Sequence, residues 1–169
     1  MWFAMRKEDL GFVTRAPVVH VVEALVAAPP AAVFAALAEP RGWPSWFPGV
    51  RAACYTSPPP HGVGTIREAR VSGTYWVEEM IAWEADVRWG WTVTRASLPF
   101  ARAQVEVFEL SSVADGTRVG WTLGLEPRLL ARLGAPFTAR TMQRLWRRAA
   151  QNLGAYLRGE PATAVAGGA

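Results

Sequence analysis

The chain has 169 residues, of which 51% are hydrophobic and 19% charged, with nine tryptophans and a formal net charge of +4. That length and apolar content suit one domain of ordinary size, for which disorder is not the default. A single cysteine, Cys54, excludes an intrachain disulfide and any CxxC metal or redox pair, and suits a reducing interior.

The opening "MWFAMRKEDLGF" has acids close behind its basic residues and no continuous apolar run, so no secretory signal is expected there. Residues 1–17 read as an irregular leader before a domain spanning 18–159. Val18 to Val26 is β-branched and apolar, which predicts a largely buried strand. Pro29 and Pro30 then open a helix, because a first-turn proline forfeits no needed donor. Val33, Phe34 and Leu37 follow at helical spacing, and Pro40 and Gly42 stop the run. The apolar stretch over 24–38 is short and carries two prolines, so it predicts no membrane span.

"EPRGWPSWFPGV", residues 39–50, packs two tryptophans and a phenylalanine among three prolines. It has room for one helical turn around residues 45–47. A short strand over 50–57 and a turn over 58–64, "PPPHGVG", come next. From Thr65 onward the period changes to two. Strands are predicted over 65–73, 74–83, 86–94, 101–110 and 117–125, with a hairpin turn at "ADG", residues 114–116. In the second of these, Tyr75, Val77, Ile81 and Trp83 share a side, and in the third Val87, Trp89, Trp91 and Val93 alternate with smaller or polar residues.

Residues 126–134 read as a short helix stopped at Gly134, and Pro136 opens another. Met142, Leu145, Trp146, Ala149, Leu153, Tyr156 and Leu157 then form a long apolar stripe. Gly159 ends it, and 160–169 read as a loose tail. Seven arginines and no acids lie between Arg128 and Arg158; elsewhere eleven basic residues face fourteen acidic ones. The arginines fall mostly outside the stripe. A basic helix raises nucleic acid, an anionic membrane or an acidic protein as partners. Because the stripe must pack on the sheet, a solvated face is the simpler reading, with no nucleic acid and no stable membrane insertion.

A curved antiparallel sheet with one apolar face and a terminal helix with one apolar stripe cover each other, giving an α+β fold. The order of pieces carries a resemblance. The first strand followed by "AAPPAAVFAALAEPRGWPSWFPGV", the glycine turn "HGVGTIRE", the late hairpin "ADGTRVGWTL" and the closing helix resemble the START-like (SRPBCC) superfamily, in its polyketide cyclase/dehydrase and lipid-transport branch. The match covers residues 18–158 and lies in order and spacing, with no single specific motif. It implies a helix-grip fold: about seven strands wrapped around a long C-terminal helix, two short helices after the first strand, and a cavity between sheet and helix.

In such a fold the loop after the first helix lies at the cavity mouth, so Trp43, Trp46 and Phe47 are candidate wall or lid residues. Trp89, Trp91, Phe108, Trp121, Met142, Trp146 and the amphipathic Tyr75 are further wall candidates. Each is individually a commoner core residue than a ligand contact, and together they either line a cavity or fill it.

Glu79 shares the parity of Val77 and Ile81 and is the candidate acid or base, since burial raises a carboxyl pKa. Glu78 has the opposite parity. Arg67 and Arg102 are weaker inward candidates. His20 reads as a hydrogen-bonded structural histidine and His61 as solvated. No GxSxG elbow, HExxH pair, phosphate loop or metal cluster is present, and no cofactor is implied. The expected function is cytoplasmic binding of a hydrophobic small molecule or lipid, as carrier or sensor. A polyketide cyclase/dehydrase-type enzyme and an interaction module using the basic helix are the alternatives.

Overall fold

The computed structural model describes residues 1–128 and 135–160. The elements are β1 (Phe3–Ala4), α1 (Phe12–Arg15), β2 (Val18–Val26), α2 (Pro30–Ala38), a 3-10 turn at Pro40–Gly42, α3 (Trp43–Trp46), β3 (Val50–Tyr55), β4 (Ile66–Val71), β5 (Thr74–Glu84), β6 (Arg88–Ala96), β7 (Ala101–Val113), β8 (Gly116–Pro127) and α4 (Ala135–Leu157). Seven strands run in the order β2-β8-β7-β6-β5-β4-β3, all neighbours antiparallel, and β1 pairs with β6 off this path. The curved antiparallel sheet with a C-terminal helix and short early helices is the helix-grip α+β fold.

Local chemistry explains most boundaries. Pro30 sits in the first turn of α2, where its missing N–H costs nothing. Val33, Phe34 and Leu37 are buried on its inner side. Beyond Ala38, the Glu39 carboxylate accepts from the Arg41 amide at 3.0 Å and opens the 3-10 turn. Helical structure in this segment therefore begins at Pro40 and ends at Trp46, earlier than the turn expected around 45–47. Trp43 is fixed by its indole N–H donating to the Leu37 carbonyl at 2.9 Å.

The apolar stripe of α4 meets the concave face of the sheet. Trp146, Ala149 and Leu153 are buried in the main core with Trp121, Phe108 and Phe47, while Met142, Leu145 and Leu157 pack at its edge. Asn152 donates from Nδ2 to the Trp46 carbonyl at 3.1 Å, tying the helix to the tryptophan-rich segment. Arg140, Arg144, Arg147, Arg148 and Arg158 are exposed, as a wet face requires. Of the helix expected over 126–134, Glu126 and Pro127 belong instead to the end of β8, and 129–134 lie outside the described residues. The tail beyond Glu160 also lies outside them.

Residues 1–17, expected to be an irregular leader, carry a two-residue strand and one helical turn and pack on the sheet. The β6–β7 ladder stops at Thr92 and Val105, and the N-terminal segment enters where it stops. Phe3 and Ala4 pair with Ala96 and Arg95, Met5 donates to the Thr94 carbonyl, and Arg6 donates to the Arg102 carbonyl. Phe12 then lies on the outer face in a second cluster with Ala103, Val105 and Val107, flanked by Leu10, Val13, Ala16 and Ile81. The sheet thus has apolar residues on both faces in this region. Apolar alternation alone cannot tell such a strand's inner side from its outer side.

No helix among the described residues is long and apolar enough to cross a membrane.

Candidate ligand-binding site

A cavity of about 450 Å³ lies between the sheet and α4. That is within the range of about 300–1,000 Å³ usual for small-molecule sites. Its apolar walls come from Trp43 and Phe47 after α2, Val50 and Ala53 of β3, Ala69 of β4, Trp76 of β5, Trp91 of β6, Trp121, Leu123 and Leu125 of β8, and Met142 and Leu145 of α4. Trp43 stacks on Phe47 with ring centres 5.3 Å apart, and Trp121 lies against Trp146 at 4.4 Å. The proline-rich segment therefore supplies rigid aromatic wall, fixed by its own hydrogen bond and by stacking.

A polar row crosses this greasy wall. Arg67 of β4 and Glu78 of β5 are direct cross-strand partners, and the Arg67 Nε donates to a Glu78 oxygen at 2.5 Å. Both are buried, at 2% and 4% exposure. The Arg67 guanidinium carbon lies 4.4, 4.6 and 4.9 Å from the ring centres of Trp91, Trp43 and Trp89. Three aromatic faces thus share the cation with one carboxylate.

Further along the row, Glu106 of β7 accepts from Gln104 Nε2 at 2.7 Å and from the Trp121 indole N–H at 3.0 Å. Burial, reinforced by the negative charge of Glu78, pushes the Glu106 pKa up to about 7, against the opposing pull of its two donors and of Arg67. His20 of β2 also lines the cavity, and burial lowers its pKa. No hydrogen bond joins its ring to the described residues, so the structural bond expected for it is not present among them.

Of the expected wall residues, Trp43, Phe47, Trp91, Trp121 and Met142 line the cavity. Trp46, Trp89, Phe108 and Trp146 are core instead, each at most 2% exposed and away from the cavity lining. Tyr75 is corrected more strongly: it is 48% exposed, with the Arg70 guanidinium over its ring. Glu79 likewise points outward, where it pairs with Lys7 Nζ at 2.6 Å. The shared parity of Val77, Glu79 and Ile81 is right, but their side is the outer one. Ile81 belongs to the cluster under the N-terminal segment, and that cluster made the outer side look like core. The inward carboxyl of the pair is Glu78.

Arg67 is inward as expected, whereas Arg102 is exposed and faces Glu126. His61 is exposed in its turn, and Cys54 is exposed and free. Glu106 and Gln104 escaped notice although a signal existed. They share the parity of Phe108, whose aromatic ring already marks the inner face of β7. Among the described residues no group of three or more histidine, cysteine, aspartate or glutamate side chains is placed to hold a metal ion.

A curved sheet gripping its last helix around a lined cavity defines a START-like helix-grip protein. The family described as polyketide cyclase / dehydrase and lipid transport matches residues 18–158, and the chain belongs to it. An uncharacterized protein of Mycobacterium tuberculosis is 31% identical over 122 residues, which cover 72% of this chain and 73% of that one. A START superfamily protein from Mycobacterium smegmatis superposes with a TM-score of 0.67 at 14% identity, over 84% of this chain and 97% of its own. A protein from Thermus thermophilus superposes with a TM-score of 0.68 at 17% identity, over 84% of this chain and 98% of its own. At those identities the two structures speak for the shared fold alone.

Proposed function

We propose that this protein holds a hydrophobic small organic molecule or lipid in the cavity between sheet and helix, as a carrier or sensor. The observation that carries the reading is the cavity itself: about 450 Å³ remains beside four tryptophans, Trp43, Trp76, Trp91 and Trp121. A domain with no use for the space gains by filling it, because empty volume forfeits dispersion contacts. Membership of a family whose description includes lipid transport supports the same reading. Native mass spectrometry of protein purified from its own host is the test. A co-purifying organic compound of defined mass supports the reading, and uniformly empty protein counts against it.

One observation favours a catalytic variant of this function. Glu106 is buried in the cavity wall with a pKa of about 7, so it can both take and give a proton near neutral pH. In a cyclase or dehydrase it would be the acid or base, in place of the outward Glu79. Glu106→Gln should then abolish turnover of a substrate that the variant still binds, and undiminished turnover removes Glu106 from the chemistry.

A further inference from the structure

At one corner of the molecule the β4–β5 turn, the β6–β7 connection and the N-terminal segment meet, and large apolar side chains stand in the open there. Trp2, Tyr75 and Leu98 are each about half exposed, and Met1 is almost wholly so. The backbone brings them together. The Ser97 amide donates to the Tyr75 carbonyl and the Tyr75 amide to Ser97 Oγ, both at 2.9 Å. On the other side of β6, Phe3 pairs with Ala96, which carries Trp2 alongside Ser97. Single exposed apolar residues are ordinary, but a cluster of four marks a contact surface. We infer that this corner docks on an anionic lipid surface, at the headgroup level and without inserting a helix.

Charge names the partner. The Arg70 guanidinium lies 5.3 Å from the Tyr75 ring centre, and that of Arg95 lies 5.1 Å from the Trp2 ring centre. The segments that meet here, 1–7, 69–77 and 95–102, hold five basic residues and no acid. Arg6, Lys7 and Arg102 are matched by Glu8, Glu79 and Glu126. Arg70 and Arg95 have no ion-pair partner among the described residues. Exposed Glu68 stands one row further from the corner, opposite Val77. Beside the cavity-lining Met142, exposed Arg140 and Arg144 of α4 likewise lack an ion-pair partner among those residues. Apolar tips set among unmatched cations suit a bilayer headgroup region, where tryptophan and tyrosine rings sit at the interface and arginines meet lipid phosphates. A nucleic acid is served less well, because a guanidinium covers one face of each ring and Leu98 offers a base no stacking surface.

Docking here turns the cavity toward the lipid. Ser72 and Thr74 of the β4–β5 hairpin line the cavity, and Ser72 is exposed, so the space reaches the surface next to Tyr75. The docking stands whether or not the cavity holds a ligand.

The test is co-sedimentation of the intact protein with two kinds of vesicle, phosphatidylcholine alone and phosphatidylcholine with about 30% phosphatidylglycerol. The anionic vesicles should bind at least about tenfold more tightly, and added salt should shrink the difference. Arg70→Gln with Arg95→Gln should weaken binding to the anionic vesicles at least about tenfold, and Trp2→Ser with Leu98→Ser at least about fivefold. Two control pairs, equally exposed elsewhere, should bind nearly as the native protein does: Arg147→Gln with Arg148→Gln on α4, and Val21→Ser with Leu25→Ser on β2. Equal binding to both kinds of vesicle, or binding to neither, overturns the inference, and that comparison needs no variant. Equal losses from the corner and control pairs overturn it too, since overall charge or greasiness would then account for the binding. So does an oligouridine of about 20 nucleotides that binds more tightly than the anionic vesicles and is weakened by the same corner variants, which assigns the surface to nucleic acid.

Discussion

Arg67 and Glu78 face each other across the β4–β5 ladder, joined at 2.5 Å and both buried against tryptophan rings. A pair of this kind contributes little net stability, but removing one partner strands the other charge. Arg67→Met should therefore destabilise the fold by about 3–5 kcal/mol in urea denaturation. The double variant Arg67→Met with Glu78→Leu should recover most of that loss. If the double variant is no more stable than the single one, the stranded charge is not the cause.

Glu106 makes stability depend on pH. Its folded pKa of about 7 lies above the ordinary carboxyl value of 4.5. Between those values the folded state binds more protons than the unfolded state, so stability falls as pH rises. The contribution is fully present below about pH 4.5 and is lost as pH rises through about 7, for a total on the order of 3 kcal/mol. Thermal denaturation from pH 5 to pH 8.5 should show a falling Tm for the native sequence, and a much flatter profile for Glu106→Gln.

The N-terminal segment is expected to be part of the folding unit. It completes the ladder where β6 and β7 part, and Phe12, at 3% exposure, covers Val105 and Val107. Phe12→Ala should cost about 3–5 kcal/mol. Deleting residues 1–17 should lower the Tm by more than the point variant does. A truncated chain as stable as the full one would put the domain boundary at residue 18 after all.

Gly116 closes the β7–β8 hairpin with φ of +134°, and a Cβ there would lie 2.3 Å from the Val26 carbonyl oxygen. Both the backbone angle and the close approach demand glycine. Gly116→Ala should destabilise by more than about 1 kcal/mol in the same urea assay, with no change in the ligand preferences of folded protein.

Much of the fold was legible in the residues. Proline placement marked the start of α2, strict alternation marked β6 and β8, and the three-four spacing of Met142 through Leu157 marked the inner face of α4. The site was legible only where a single face is buried: Trp91 and Trp121 follow from alternation on strands whose inner side is the apolar one. In β5 that rule fails, because the N-terminal segment covers the outer side. Val77 and Ile81 then imitate a core face, while the true inner side carries Trp76, Glu78 and Met80. The same cover puts Val105 and Val107 outside and leaves Gln104 and Glu106 within. Whether a buried tryptophan lines the cavity or sits behind its wall depends on packing in three dimensions. Trp89 and Trp91 share one face of one strand, yet only Trp91 reaches the space.

The most direct measurement is fluorescence titration of 1-aminoanthracene into the native protein and into Ala69→Trp. Ala69 is a buried lining residue on β4, and a tryptophan there fills the hollow. Saturable uptake at one molecule per chain is expected for the native protein, together with its loss in a variant whose near-UV circular dichroism still reports a folded core. No saturable uptake by the native protein, or equal uptake by the folded variant, would contradict a ligand held between sheet and helix.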